Sequence, residues 1–541
     1  MNTAASNNIW ATIRKYSWLL LTIIFAIIIL FQMYQTISYA GIAPIEVREG
    51  VGFKYAVDFA KGINPYSLEV LSANESPAIN HYGLVMTMFL SLFVRLWPTS
   101  YVTAIRIAAY IVKLLGCFFF AKGLYTKTNN KLISALSVFF IYALYQFPVY
   151  PCTWALALSY LLYWIIAVDE KNNKSRWYWY VLIIILLFYT KQYFVTLALG
   201  VLLYLIFQKS WKIALKYTLS GLIFGILSMI IINKIFPLYF TQSFLFVGTA
   251  SSGATSVSYL LVQLIDIIFS LFSGLFIIIL SVILLLLVAY FISRKKKETI
   301  SDEIKSFWNH ISYGMITFLS MIPVLYFLGQ NTGSYNRYFY ELWIPYLLDV
   351  VLCFIAFINE YYLNNKQNNL FSSYVTKSVL AALVLFSLAS VFRNFYRPYF
   401  PNAAEDEQWN DVYELVKQEA PTGNFFSSSV LSFYCISNDI PAYDYGSNQY
   451  CDATISDKIN SGWKEKLFPY ATELNDKVIN DRNEAYQKIS EGKFDLVVLT
   501  DDLPYYSGLA DNLKSGGYTE IKKENLVIGG RAWVTHFYAK K

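Results

Sequence analysis

Residues 17–38 read SWLLLTIIFAIIILFQMYQTIS, and residues 213–235 read IALKYTLSGLIFGILSMIIINKI. The first stretch holds no charged residue, and the second holds only Lys216 and Lys234. An apolar run of roughly 17–25 residues can cross the hydrocarbon core of a bilayer as a helix. Further runs fall at 102–121, 132–147, 153–168, 177–190, 193–208, 272–292, 309–328, 339–358 and 376–392. Several are shorter than the ideal length. The pattern predicts an α-helical polytopic membrane protein with about eleven transmembrane helices.

Composition agrees. Of 541 residues, 56% are hydrophobic and only 15% charged, against roughly 25% charged in soluble domains. Disordered, collagenous and disulfide-scaffold classes are thereby excluded. Five cysteines in so long a chain make no disulfide framework. Three histidines without a CxxC or HExxH pattern argue against zinc. No basic face accompanies a nucleic-acid reader motif, so nucleic acid is not an expected partner.

Charge divides the chain. Residues 398–541 carry 14 Lys/Arg against 22 Asp/Glu, whereas residues 1–397 carry 29 against 14. The acidic part reads as a soluble domain, and the basic part as the membrane domain with its excess in cytoplasmic loops. The run at 83–97 is short and contains Arg95. Placing it along the membrane surface as an interfacial helix puts every strongly basic short loop on the side of Arg14 and Lys15. The amino terminus is then cytoplasmic and the carboxyl-terminal domain extracytoplasmic. The first span ends in a cleavage-like Ser38-Tyr39-Ala40, but its apolar stretch is too long for a signal peptide, so it is expected to be retained.

Two outer segments are long, 41–100 and 237–259. Long segments of this kind in a compact domain tend to be functional. The carboxyl-terminal tail predicts helices at 405–419 and 476–489 and strands at 424–428, 495–499 and 532–539, a small α/β domain. Asp501-Asp502 after the second strand is expected to begin a turn or cap a helix.

The first outer segment carries the chemistry. It runs Glu46-Val-Arg-Glu49-Gly50-Val-Gly52-Phe53 and continues through Tyr55, Asp58 and Gly62 to Pro65-Tyr66. Two carboxylates sit just past the first span. Near apolar walls a carboxylate is desolvated and becomes a competent general base. Glu49 would open an amphipathic helix with Phe53, Val57 and Ala60 on one face, where the helix dipole opposes that effect. The plainer alternative makes Glu46 and Glu49 solvated loop charges beside Arg48.

Glu49-Gly50, an aromatic-rich helix, Gly62-x-x-Pro65-Tyr66, Tyr82-Gly83 before an apolar surface helix, and Arg106 opening the next span form one series. It resembles the first outer loop of the GT-C superfamily of integral-membrane glycosyltransferases, of the aminoarabinose transferase and protein O-mannosyltransferase type. The resemblance implies that Glu49 is the catalytic base, with Glu46 as the fallback. Tyr189-Thr190-Lys191-Gln192 and Gly333-Ser334-Tyr335-Asn336-Arg337-Tyr338 are similar to two further segments of that family. They imply Lys191 and Arg337 as ligands of the donor phosphate. A snorkelling lysine and a headgroup-anchoring arginine are the alternatives. Tyr55, Tyr66, Tyr82, Arg106 and Tyr338 would surround the substrate cavity, with Arg106 also an anchor for the loop.

Two departures matter. The loop Tyr145–Trp154 lacks the acid that many such relatives carry, and no Asp-x-Asp pair faces outward in the membrane part. No cofactor is therefore required, and a divalent cation is the one candidate left open. Tyr239, Phe240, Phe244, Phe246 and Trp154 are better explained by an interfacial aromatic belt than by sugar stacking. Asn74-Glu75-Ser76 fits a glycosylation acceptor too common to weigh. Cys435 and Cys451 could pair in an oxidising compartment, though free thiols are expected.

The expected function is transfer of a sugar from a polyprenyl-phosphate donor to a glycan, lipid or protein acceptor on the outer face of a cell membrane. A lipid-linked glycan flippase and an inactive scaffold of envelope assembly are the alternatives. The absence of internal repeats weighs against a transporter.

Overall fold

The computed structural model describes residues 2–39, 44, 49–73, 76–144, 149–208, 210–245, 311–328, 345–350, 352–353, 403–445, 466–501, 509–528 and 531–540. The spans expected at 272–292 and 376–392 lie outside the described residues, as does most of that at 339–358. Among the described residues the chain is mostly helical, with a small carboxyl-terminal sheet. Among the described residues four helices are long and apolar enough to cross a membrane: Tyr16–Tyr34, Tyr101–Thr128, Pro151–Asn172 and Trp211–Ile235.

Tyr16–Tyr34 belongs to α1 (Asn2–Tyr39), a stretch with no Gly or Pro to interrupt it. Next come α2 (Glu49–Ala60), the short α3 (Glu69–Ser72) and α4 (Leu84–Leu96). Then follow α5 (Tyr101–Thr128), α6 (Lys131–Leu144), α7 (Pro151–Asn172), α8 (Trp177–Thr190), α9 (Leu197–Phe207), α10 (Trp211–Ile235) and α11 (Tyr313–Leu328). At 13 residues α4 is short of spanning length, and so are α6, α8 and α9 at 14, 14 and 11 residues, where the sequence reading expects spans. Proline at its first position and Asn173 in the left-handed region (φ 50°) delimit α7.

The helical core closes where α5 and α7 meet. A Cβ on Gly123 would stand 2.5 Å from the Tyr163 ring, so only glycine permits this approach. One turn before it, Phe120 stacks on Tyr163 at 5.2 Å. In the last turn of α5, Lys127 reaches the buried Asp349 carboxylate at 2.7 and 2.9 Å. Tyr163 donates to the same group at 2.6 Å, and Ser312 donates to its other oxygen. This cluster ties four segments at the end of α5 opposite Arg106.

The carboxyl-terminal unit has α12 (Ala403–Glu419), β1 (Phe425–Ser427), α13 (Ser432–Ser437), α14 (Ala471–Ser490), β2 (Leu496–Thr500), α15 (Ala510–Ser515), β3 (Tyr518–Ile528) and β4 (Arg531–Lys540). The sheet order is β1-β2-β4-β3, with β1 and β2 parallel and the other pairs antiparallel. β2 is buried throughout, as expected of its unbroken Leu-Val-Val-Leu run. β3 has no counterpart in the sequence reading. It is an edge strand rich in Lys and Glu, bulged between Glu520 and Lys522, so its pattern resembles a solvated loop.

His536 on β4 lies between two carboxylates. Its Nε2 is 3.0 Å from Asp501, at the end of β2, and its Nδ1 is 2.9 Å from Glu520 on β3. Burial by itself would lower the proton affinity of the ring, but Glu520 and Asp501 outweigh it and raise the pKa above the ordinary value. The stabilisation is therefore complete below the ordinary histidine pKa, and it fades as pH rises through the higher folded value. Thermal melts of the full chain should show the advantage of the wild type over His536→Gln shrinking as the pH rises above the ordinary histidine range. A difference that does not change with pH would contradict the assignment.

Candidate functional site

Helix α2 begins at Glu49, where the sequence predicts a helical start, and it is held at both ends. At its carboxyl end Gly62 takes φ +81°. Gly62 N–H bonds to the Phe59 carbonyl at 3.2 Å and Ile63 N–H to the Asp58 carbonyl at 2.8 Å. This is a Schellman closure, which explains the glycine of the Gly62-x-x-Pro65-Tyr66 motif. Arg95, from the last turn of α4, donates to the carbonyls of Phe59 and Ala60 at 2.8 and 3.2 Å. The arginine that made 83–97 a poor span therefore caps α2.

Arg95 contacts the end of α2, while a Cβ on Gly52 would stand 3.1 Å from Met86, near the start of α4. The two helices thus run parallel, and their amino termini, Glu49 and Gly83, share one end. Gly83 N–H bonds to the Thr190 carbonyl at 3.1 Å. A Cβ there would lie 2.1 Å from the Tyr189 carbonyl, so glycine is required for the approach. The Tyr82-Gly83 and Tyr189-Thr190-Lys191 motifs are in direct contact.

Lys191 follows α8 in an extended conformation and is 5% exposed. Its ammonium stands 4.7 Å from the centre of the Tyr150 ring, 5.7 Å from that of Tyr82 and 3.0 Å from Cys152 Sγ. The tyrosine hydroxyls approach each other to 2.6 Å. The described part of the loop that lacks an acid therefore supplies an aromatic ring and a thiol to the lysine. Buried cation–π contacts of this kind can be worth about 2 kcal/mol. Tyr150 and Cys152 were not singled out in the sequence, since neither type signals a lysine partner.

Glu49 is 4% exposed and Arg106 1%. The Glu49 Oε2 to Arg106 Nη2 distance is 4.0 Å, an ion pair at the limit of direct contact. The solvated-loop reading does not hold for Glu49. Its neighbour Gly50 lies against the carboxyl-terminal unit, where a Cβ would stand 2.3 Å from Ser432 Oγ and 2.8 Å from the Tyr445 carbonyl. Beside it Phe53 stacks on Phe433 at 4.6 Å and 22°. The Arg106 guanidinium carbon lies 5.6 Å from the centre of the same Phe433 ring. Arg106 also acts on α12: burial raises the Asp406 carboxyl, and the arginine partly offsets that rise. Ser432 and Phe433 were missed because nothing local distinguishes them from other core residues.

Tyr55 and Tyr66 lie inside the packing of the loop itself. The Tyr55 hydroxyl is 2.6 Å from both the Ala78 carbonyl and Gln242 Oε1, and Tyr66 accepts from Asn80 at 3.0 Å. Burial pushes both phenols well above their ordinary range, so they stay neutral. Gln242 comes from the second long segment, and Leu238 N–H bonds to the Tyr66 carbonyl at 3.0 Å. The described parts of the two long segments therefore pack together. Tyr239 and Trp154 are buried, a correction to the belt assignment, whereas Phe244 is 39% exposed. Cys435 is a buried free thiol that burial pushes up to about 12. Glu46, Arg337, Tyr338, Phe246 and Cys451, with Asn74 and Glu75, lie outside the described residues. Among the described residues no group of His, Cys, Asp and Glu is arranged to hold a metal ion.

No known protein-family profile matches the sequence, and no curated protein matches it significantly.

Removing either member of a buried ion pair leaves a costly desolvated charge, of order 3–5 kcal/mol. Glu49→Ala and Arg106→Ala should each destabilise by about that much. The double variant should lose clearly less than the sum, because the two groups interact. Strict additivity in the unfolding measurements would dissolve the pair.

Proposed function

We propose that the chain is a GT-C-type membrane glycosyltransferase with about eleven transmembrane helices. On this reading the amino terminus is cytoplasmic, and the carboxyl-terminal unit lies on the extracytoplasmic side of a cell membrane. It takes a sugar from a polyprenyl-phosphate donor and passes it to a glycan, lipid or protein acceptor.

The observation that carries this reading is the position of Glu49. It is a buried carboxylate at the start of an amphipathic helix just beyond the first long apolar helix, paired with Arg106, and its helix packs against Ser432 through Gly50 and against Phe433 through Phe53. The parallel packing of α2 and α4 supports a single site, because it brings the Lys191 turn to the same end. In the proposed reaction Glu49 takes the proton of the acceptor hydroxyl while its oxygen attacks C1 of the sugar. The bond from C1 to the phosphate oxygen breaks, and the phosphate leaves with its electron pair. Lys191 and Arg337 stabilise that developing charge, and configuration inverts in the single displacement. Glu49 is covered, so the acceptor reaches it when the contact between Gly50 and Ser432 parts.

Glu49→Gln keeps the shape of the side chain and removes the base. Transfer from a radiolabelled polyprenyl-phosphate sugar, assayed in membranes containing the full chain, should fall by about 10²–10⁴ with the protein still folded. Full activity in that variant would remove Glu49 from the role. A normal phenotype in Glu46→Ala/Glu49→Ala, with no transfer detectable in the wild type, would favour the scaffold alternative over catalysis.

A further inference from the structure

Arg106 stands at a junction of three parts of the chain. It belongs to the second turn of α5, it faces Glu49 of α2, and its guanidinium lies over Phe433 of α13. Phe433 is itself fixed. It is 1% exposed, it stacks on Phe53, and the adjoining Ser432 is pressed against Gly50 with no room for a Cβ between them. Phe53 lies one helical turn from Glu49, on the same face of α2. One aromatic ring of the carboxyl-terminal unit thus touches both the helix that bears Glu49 and the arginine that faces it.

We propose that Phe433 is a positioning residue: its ring holds the Arg106 guanidinium against Glu49, so that docking of the carboxyl-terminal unit sets the charge around that carboxylate. The role assigned to Glu49 rests on the function proposed above, but the coupling does not. A guanidinium over an aromatic face is attracted by the ring quadrupole, and an aliphatic side chain of similar volume supplies no such attraction. The other titratable groups that act on Arg106 are Tyr110 on its own helix and Asp406 and Tyr413 on α12. On the far side of α2, Lys54 is engaged with Asp58 at 2.6 Å.

The test reads Glu49 directly. Infrared difference spectra of the full-length protein in nanodiscs, wild type minus Glu49→Gln, isolate the Glu49 carboxyl bands across pH. Loss of the ordered guanidinium weakens support for the carboxylate. Phe433→Leu should therefore move the pH at which the carboxylate band gives way to the acid band upward by about 1. Phe433→Tyr, which keeps the ring, should leave it in place. In an Arg106→Gln background, Phe433→Leu should add nothing, because the ring then has no guanidinium to hold. Should Phe433→Leu fail to fold, Phe433→Met serves in its place. Equal behaviour of the aliphatic and Tyr variants, or a shift that persists without Arg106, would overturn the proposal. Loss of the transferase reading through an active Glu49→Gln would leave this spectroscopic coupling to stand or fall by itself.

Discussion

A carboxylate and a guanidinium taken out of water together set the terms for everything around them. Each ion costs several kcal/mol to desolvate, and at 4.0 Å the mutual attraction of Glu49 and Arg106 repays only part of that. The pair therefore needs further support, and the surrounding structure supplies it in layers. Arg95 and the Gly62 turn fix one end of α2, while Ser432 and Phe433 close the other. The low-dielectric wall that makes the pair costly also strengthens its interactions. General-base chemistry is one use suited to a carboxylate so buried.

The second constraint is backbone proximity. Two helices can place their amino termini side by side only if the segments before them pack closely. Gly83 meets the Tyr189-Thr190 carbonyls at distances no side chain permits. The Lys191 turn is consequently fixed relative to α4, and α4 relative to α2. The lysine is held over two tyrosine rings beside a thiol. The two ends of α5 divide the labour: Arg106 serves the candidate site, and Lys127 ties down the opposite end through Asp349.

Much of this was legible in the sequence where the signal was local. The start of α2 at Glu49, the turn at Gly62 and a helix within 83–97 too short to span follow from helix capping, glycine geometry and run length. The buried strand at 495–499 was readable from its apolar run. β3 was not, because an edge strand with alternating charges has the composition of a loop. Nor were the contacts of Arg106 with Phe433 and of Lys191 with Tyr150 and Cys152. Such contacts join residues far apart in the chain, and no periodicity encodes them. The tyrosines expected around a cavity, Tyr55 and Tyr66, show the converse. Their residue type suggested substrate contact, whereas their hydroxyls are engaged by Ala78, Gln242 and Asn80 in the packing of the two long segments.

The central claim is that this fold holds a polyprenyl-phosphate-linked sugar near Glu49, with its phosphate at Lys191. The most direct measurement is mass spectrometry of the lipids that co-purify with the full-length protein, set against those of Lys191→Ala/Arg337→Ala. The account predicts a glycosylated polyprenyl phosphate in the wild type that is lost from the variant, which would also identify the sugar. Absence of any prenyl lipid from the wild type, or its undiminished retention in the variant, would contradict it.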